Sequence, residues 1–147
     1  MPFETVENLS VDTIYILNEV IKKKNKKDYY ESRRNLCLIS SLLLLFGFFL
    51  LLTLDDIKTM VDPLTTFANI LANPLYLFMI GLIAIMLLYH NYYQKKLKKE
   101  KDKFKSVRIE AIDYLNDSRN MNTQDQAVMI KKIMKEKHKI NLYVKNS

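Results

Sequence analysis

The sequence predicts an all-α membrane protein, a two-span transmembrane helical hairpin with cytoplasmic N- and C-terminal helices. Three observations carry that expectation. Residues Leu36 to Leu54, LCLISSLLLLFGFFLLLTL, run for nineteen positions without a charge. As a helix they would be about 28 Å long, close to the ~30 Å hydrocarbon core of a bilayer. A second apolar stretch, PLYLFMIGLIAIMLLY, begins at Pro74. Lys and Arg are also unevenly spread: seven in residues 1–35, fifteen in residues 90–147, and only Lys58 between the apolar stretches. The positive-inside rule then places both termini in the cytoplasm and the connector outside. The alternative for Leu36 to Leu54 is the core helix of a soluble protein. A chain of 147 residues has too little other apolar material to surround one.

Composition agrees with helices. Two glycines and three prolines leave little room for tight-turned sheets or phosphate loops. The mean hydropathy of −0.10 averages greasy blocks with highly charged ones. Of the 23 basic residues behind the net charge of +7, nineteen are lysine. Such a balance fits membrane topology and anionic lipid before nucleic acid. Cys37 stands alone, which excludes an internal disulfide and a thiolate metal cluster. Near a membrane it is a small apolar filler or, alternatively, an acylation site. The first apolar run starts 35 residues in and lacks a small-residue cleavage site, so it reads as an uncleaved signal-anchor.

Residues 1–35 form the cytoplasmic N-terminal helix and its basic flank. Ser10 is a plausible N-cap with Asp12 in the first turn. Val6, Leu9, Ile14, Leu17 and Ile21 recur at helical spacing, widened by Ile16 and Val20. The polar run from Lys22 to Asn35 has no helix breaker and could continue straight into the span. Tyr29, Tyr30, Arg33 and Arg34 suit the headgroup layer. Transmembrane helix 1 covers 36–54. The connector, 55–74, repeats Ile57, Met60, Val61, Leu64, Phe67, Ile70 and Leu71 on one face. Asp62 can cap a helix starting at Pro63, giving an amphipathic helix on the outer surface or a re-entrant segment.

Transmembrane helix 2 covers 75–90. Its fifteen apolar residues are short for a crossing, and Tyr76, Tyr89, Tyr92, Tyr93 and snorkelling Lys95 and Lys96 would extend it. Gly81 and Ala84 could let the first span approach closely. Residues 91–118 form a cytoplasmic basic stem. Within it Tyr93, Leu97, Glu100, Phe104, Val107, Ala111 and Tyr114 alternate at intervals of four and three, a coiled-coil seam with one polar break. Residues 119–147 hold a C-terminal amphipathic helix and tail. Thr123 and Gln126 make a capping box; Ala127, Ile130, Ile133 and Met134 share a face. The apolar tail INLYV could dock back onto the helices.

No sequence feature names a reaction. Phosphate loops, HExxH and GxSxG are missing, neither His90 nor His138 has ligands at metal spacing, and the spans hold no ionisable residue for a proton relay. The sequence points to a non-enzyme with no cofactor, no metal site, no nucleic-acid partner and no small-molecule substrate. Two surfaces are candidates for function. One is a self-association or partner face made of Ile14, Leu17, Ile21, Leu97, Phe104, Val107, Ala111, Ile130 and Met134, which could pack within a chain or across a dimer. The other is a set of cations for lipid headgroups of the anionic inner leaflet: Arg33, Arg34, Lys95, Lys96, Lys98 and Lys99. The same lysines could instead only set topology.

The basic IKKKNKKDYYESRR ahead of the first span, the two spans, the basic stem and the closing KINLY together resemble the YpbF-like family. These are uncharacterised small two-span membrane proteins of Bacillus-type bacteria. The resemblance implies a bacterial plasma membrane and supplies no active site. The chain is also loosely similar to two-span bacterial defence effectors, which would imply triggered membrane permeabilisation. The expected function is a scaffold or regulator presenting helical cytoplasmic segments to a second copy or a protein partner. The alternative is a pore-forming, holin-like or effector-like assembly.

Overall fold

The computed structural model describes residues 9–54, 62–117 and 124–144. Among them all regular structure is helical: α1 Val11–Leu54, α2 Pro63–Ala72, α3 Pro74–Asn116 and α4 Gln124–His138. Two compact units result. One comprises residues 1–29 and 97–147, the other residues 30–96. Val6, Ile57, Met60, Val61 and Thr123 lie outside the described residues.

The starts of α1, α2 and α3 each have a chemical cause. The Thr13 amide donates to Ser10 Oγ at 3.2 Å, so Ser10 caps α1. Asp62 accepts from the Leu64 amide and from the Thr65 hydroxyl, with Pro63 at the first helical position of α2. Asn73 serves both neighbours. Its amide donates to Asn69 O and closes α2, while its Oδ1 accepts from the Leu75 amide and opens α3. Nothing breaks α1 at the apolar boundary or α3 at its own, so each polar arm continues helically from an apolar segment. At the far end of α4, Lys139 adopts φ 55° and the Ile140 amide reaches back to Met134 O at 2.9 Å.

The unit of residues 1–29 and 97–147 has its own core. Leu17 and Val20 from α1, Ala111, Ile112 and Leu115 from α3, Ile130 and Met134 from α4, and Ile140 and Leu142 from the tail form one buried cluster. Removing such a side chain from water stabilises by roughly 1.5–3 kcal/mol. Four segments share this burial, and none could bury its stripe alone.

The unit of residues 30–96 is organised differently. Cys37 and Ser41 of α1 and Tyr76 of α3 are buried, whereas most of the large apolar side chains around them are exposed. Tyr76 packs edge-on against Phe48 with centroids 5.8 Å apart, and Tyr30 lies 6.4 Å from Tyr93. The Ser41 and Thr53 hydroxyls bond back to Leu38 O and Leu50 O of their own helix, satisfying their polarity locally. Tyr76 is buried against α1. One sequence expectation is corrected here. A Cβ at Gly81 would meet open space and Ala84 is exposed, so that small pair makes no close helix approach.

Both α1 and α3 are long and apolar enough to cross a membrane. Only 11% of the most apolar window of α1 and 6% of that of α3 is buried. A core helix of a soluble protein would bury most of such a window.

Candidate functional site

The nine residues proposed as an association face lie in the unit built on the shared core, and the core uses most of them. Leu17, Ala111, Ile130 and Met134 are at or below 1% exposure, and Leu97 is buried as well. Phe104, Val107 and Ile21 are half-buried and pack against the cluster. Ile14 is half-buried and stands outside that packing set. The inward stripe of α1 is centred on Thr13, Leu17 and Val20 rather than on Ile14, Leu17 and Ile21. Thr13 is 1% exposed, shares a 2.7 Å hydrogen bond with Ser10 and donates to the Tyr114 hydroxyl at 3.5 Å. On α3 the residues at the four-three spacing from Tyr93 to Tyr114 are all buried or half-buried.

Several polar contacts in this unit join residues far apart in sequence. Glu100, the polar break in the stripe, is 6% exposed. Its Oε1 faces Lys103 Nζ at 3.2 Å and Lys26 Nζ at 3.6 Å. Burial pushes its carboxyl up, but Lys103 and Lys26 more than offset this and hold it below the usual value. Asp28 behaves alike: burial raises it, and Lys27 at 2.9 Å with Lys24 at 3.4 Å brings it below its ordinary value. Lys27 also lies 6.0 Å from the Phe104 ring centroid, a cation–π distance. Lys24 Nζ donates to His138 O at 2.6 Å, and Arg108 Nη2 donates to Val144 O at 3.1 Å. No local pattern in the lysine-rich sequence says which carbonyls these cations reach.

What this unit leaves exposed is a different set. Val11 and Tyr15 on α1, Val128 and Met129 on α4, and Tyr143 and Val144 in the tail are solvent-facing apolar side chains. Lys98 and Lys99 are exposed on α3.

In the other unit the predicted headgroup cations sit at the polar ends of the apolar windows. Arg33, Lys95 and Lys96 are exposed and Arg34 is half-buried. Arg34 donates from Nε and Nη2 to Asn35 Oδ1 at 3.1 and 2.7 Å, and its carbonyl lies 3.3 Å from His90 Nδ1. Lys96 Nζ sits 5.5 Å from the Tyr92 ring centroid. A shallow groove of about 390 Å³ is lined by Ile85, Leu88, Tyr89 and Tyr92. Cys37 is buried. Among the described residues no group of three or more His, Cys, Asp or Glu side chains converges as a metal site would require.

Comparison with known proteins places the chain without assigning it an activity. No curated protein and no solved structure matches it. One family model aligns with residues 16–145, which takes in α1 from Ile16 onward, the whole of α3 and α4, and the tail that closes the core. On that match the chain belongs to the family described as a protein of unknown function, DUF2663.

Proposed function

We propose that this chain is a two-span protein of the bacterial plasma membrane with both termini in the cytoplasm. It acts there as a non-enzymatic scaffold or regulator that holds a folded helical unit at the membrane for a protein partner or a second copy. The observation that supports this best is the contrast in burial between the two units. One encloses a nine-residue apolar cluster drawn from four segments, while the apolar windows of α1 and α3 remain almost wholly uncovered. The uncovered windows match a hydrocarbon environment in length and composition. The cations flanking them match the anionic inner leaflet. The Lys/Arg distribution supports the orientation, and the resemblance carried by KINLY supports a bacterial source.

Packing changes which surface is offered to a partner. Ile130 and Met134 are occupied within the chain, so recognition uses exposed Val128 and Met129 of α4 with Tyr15, Tyr143 and Val144. Pore formation is the weaker reading, because the Ser41 and Thr53 hydroxyls are spent on their own helix.

In-cell photocrosslinking tests the proposal. A photoreactive side chain at Val128 or Met129 is expected to capture another protein or a second copy, whereas one at Ile130 or Met134 reports only contacts within the chain. Capture from none of the exposed positions contradicts the scaffold reading.

A further inference from the structure

We propose that the face of α3 from Ile85 to Lys96 binds an anionic phospholipid, with one acyl chain in the groove and the phosphate against Lys96 and Lys95. This rests on the membrane reading above and adds a defined lipid site to it. The groove of about 390 Å³ lies among Ile85, Leu88, Tyr89 and Tyr92, a volume within the range of small-molecule clefts. Those positions follow one another at i, i+3, i+4 and i+7 and therefore share one helix face. Lys96 comes four residues after Tyr92 and continues that face. Met86, His90 and Tyr93 are half-buried and lie about a third of a turn away, so the groove is not part of the packed side of α3.

The site is braced as well as lined. Tyr89 stacks on Tyr93 with centroids 6.3 Å apart and planes at 25°. Tyr92 meets the same ring edge-on at 5.4 Å. Tyr93 is half-buried, and it therefore holds both tyrosine walls from the packed side. Lys96 Nζ, 5.5 Å from the Tyr92 ring centroid, places a cation at the polar end of an otherwise apolar trough, with exposed Lys95 beside it. From Leu75 to Lys96 the sequence holds no carboxylate, so nothing along that stretch competes for the two ammonium groups.

The occupant follows from this pairing. Free inorganic phosphate would leave the four apolar and aromatic walls uncovered. A neutral apolar helix would leave the lysines unused. An anionic phospholipid satisfies both ends, and a zwitterionic one brings its own cation toward Lys95 and Lys96.

The test uses the full chain in lipid discs with two probes, a phosphatidylglycerol bearing a diazirine on one acyl chain and the matching phosphatidylcholine. Labelling of the segment 85–92 is expected to favour phosphatidylglycerol, by roughly fivefold for each lysine engaged at the anionic headgroup. Lys95→Gln with Lys96→Gln should bring the two lipids to equal labelling while leaving the phosphatidylcholine signal unchanged. Equal labelling in the unsubstituted chain, or a preference that survives the double substitution, overturns the lipid site and leaves the membrane reading intact. A chain that fails to enter the discs overturns the membrane reading and this proposal with it.

Discussion

Lys24 on α1 donates from Nζ to the main-chain carbonyl of His138, 2.6 Å away, at the C-terminus of α4. The last carbonyls of a helix lack partners within it and carry the negative end of its dipole. A cation delivered from another segment answers both needs and ties α1 to α4. Lys24→Met, which keeps the aliphatic stem, is expected to destabilise the fold by about 1–2 kcal/mol. Asp28→Asn, which removes two partly exposed pairs, 3.4 Å from Lys24 and 2.9 Å from Lys27, and leaves the carbonyl contact in place, should cost less, about 0.5 kcal/mol. Thermal unfolding of the full chain in detergent, followed by circular dichroism, separates the two; equal effects would argue against the cap.

The same corner sets a pH dependence. Burial, then the charges of Lys24 and Lys137, holds the His138 imidazole below its ordinary value of 6.5. The unfolded chain takes up that proton first as pH falls. The contribution to stability is therefore fully present above about pH 6.5 and is lost as pH drops from there through the lowered folded value. Glu100 and Asp28 also sit below their ordinary values, and they lose stability in the same direction only below about pH 4.5. Between about pH 7.5 and 5.5 the unfolding midpoint should fall, and His138→Gln should flatten that fall. An unchanged slope in the variant would remove His138 as the cause.

Burial on α4 distinguishes neighbouring apolar residues sharply. Met134 is 0% exposed and Val128 is 55% exposed. Met134→Ala is expected to cost about 2–5 kcal/mol through lost burial and the cavity left behind. Val128→Ala should stay within about 0.5 kcal/mol. Denaturant titration of both variants checks the difference, and a tolerated Met134→Ala would mean that α4 does not pack as described.

Glycine is absent from one position that suits it and present at two that do not require it. Lys139 holds φ 55°, where a Cβ is unfavourable by about 1–2 kcal/mol, so Lys139→Gly should raise the midpoint of unfolding or leave it unchanged. Gly47 and Gly81 have nothing within 4 Å of an added Cβ. Gly81→Ala should leave stability unchanged or raise it by up to about 1 kcal/mol. Strong destabilisation by Gly81→Ala would instead restore the close helix approach that Gly81 and Ala84 suggest in the sequence.

Local sequence carried the helices well because helix starts are local chemistry. Asp62 before Pro63, Ser10 before α1 and the unbroken run through Arg33 and Arg34 into Leu36 all act within four residues. The four-three spacing from Tyr93 to Tyr114 was legible too, since one period describes the whole stem. On α1, however, Ile14, Ile16, Leu17, Val20 and Ile21 make a broad apolar arc. Its angular centre is set by α3 and α4, and it brings polar Thr13 inward. Likewise the packing of Tyr76 on Phe48 depends on a residue far away in sequence. Lys24 with His138 and Arg108 with Val144 join residues far apart in sequence, where no spacing rule reaches. The candidate site moved for the same reason: apolar stripes mark what is buried, and here their own chain buries them.

Membrane topology is the measurement closest to the centre of the account. In a Cys37→Ser background, single cysteines at Thr65 on α2, Lys105 on α3 and Met129 on α4 can be probed in intact cells with a membrane-impermeant maleimide. The expected result is labelling at position 65 alone, with positions 105 and 129 reacting only after the membrane is opened. Labelling of 105 or 129 in intact cells, or recovery of the chain in the soluble fraction, would contradict a two-span protein that holds its folded unit on the cytoplasmic side.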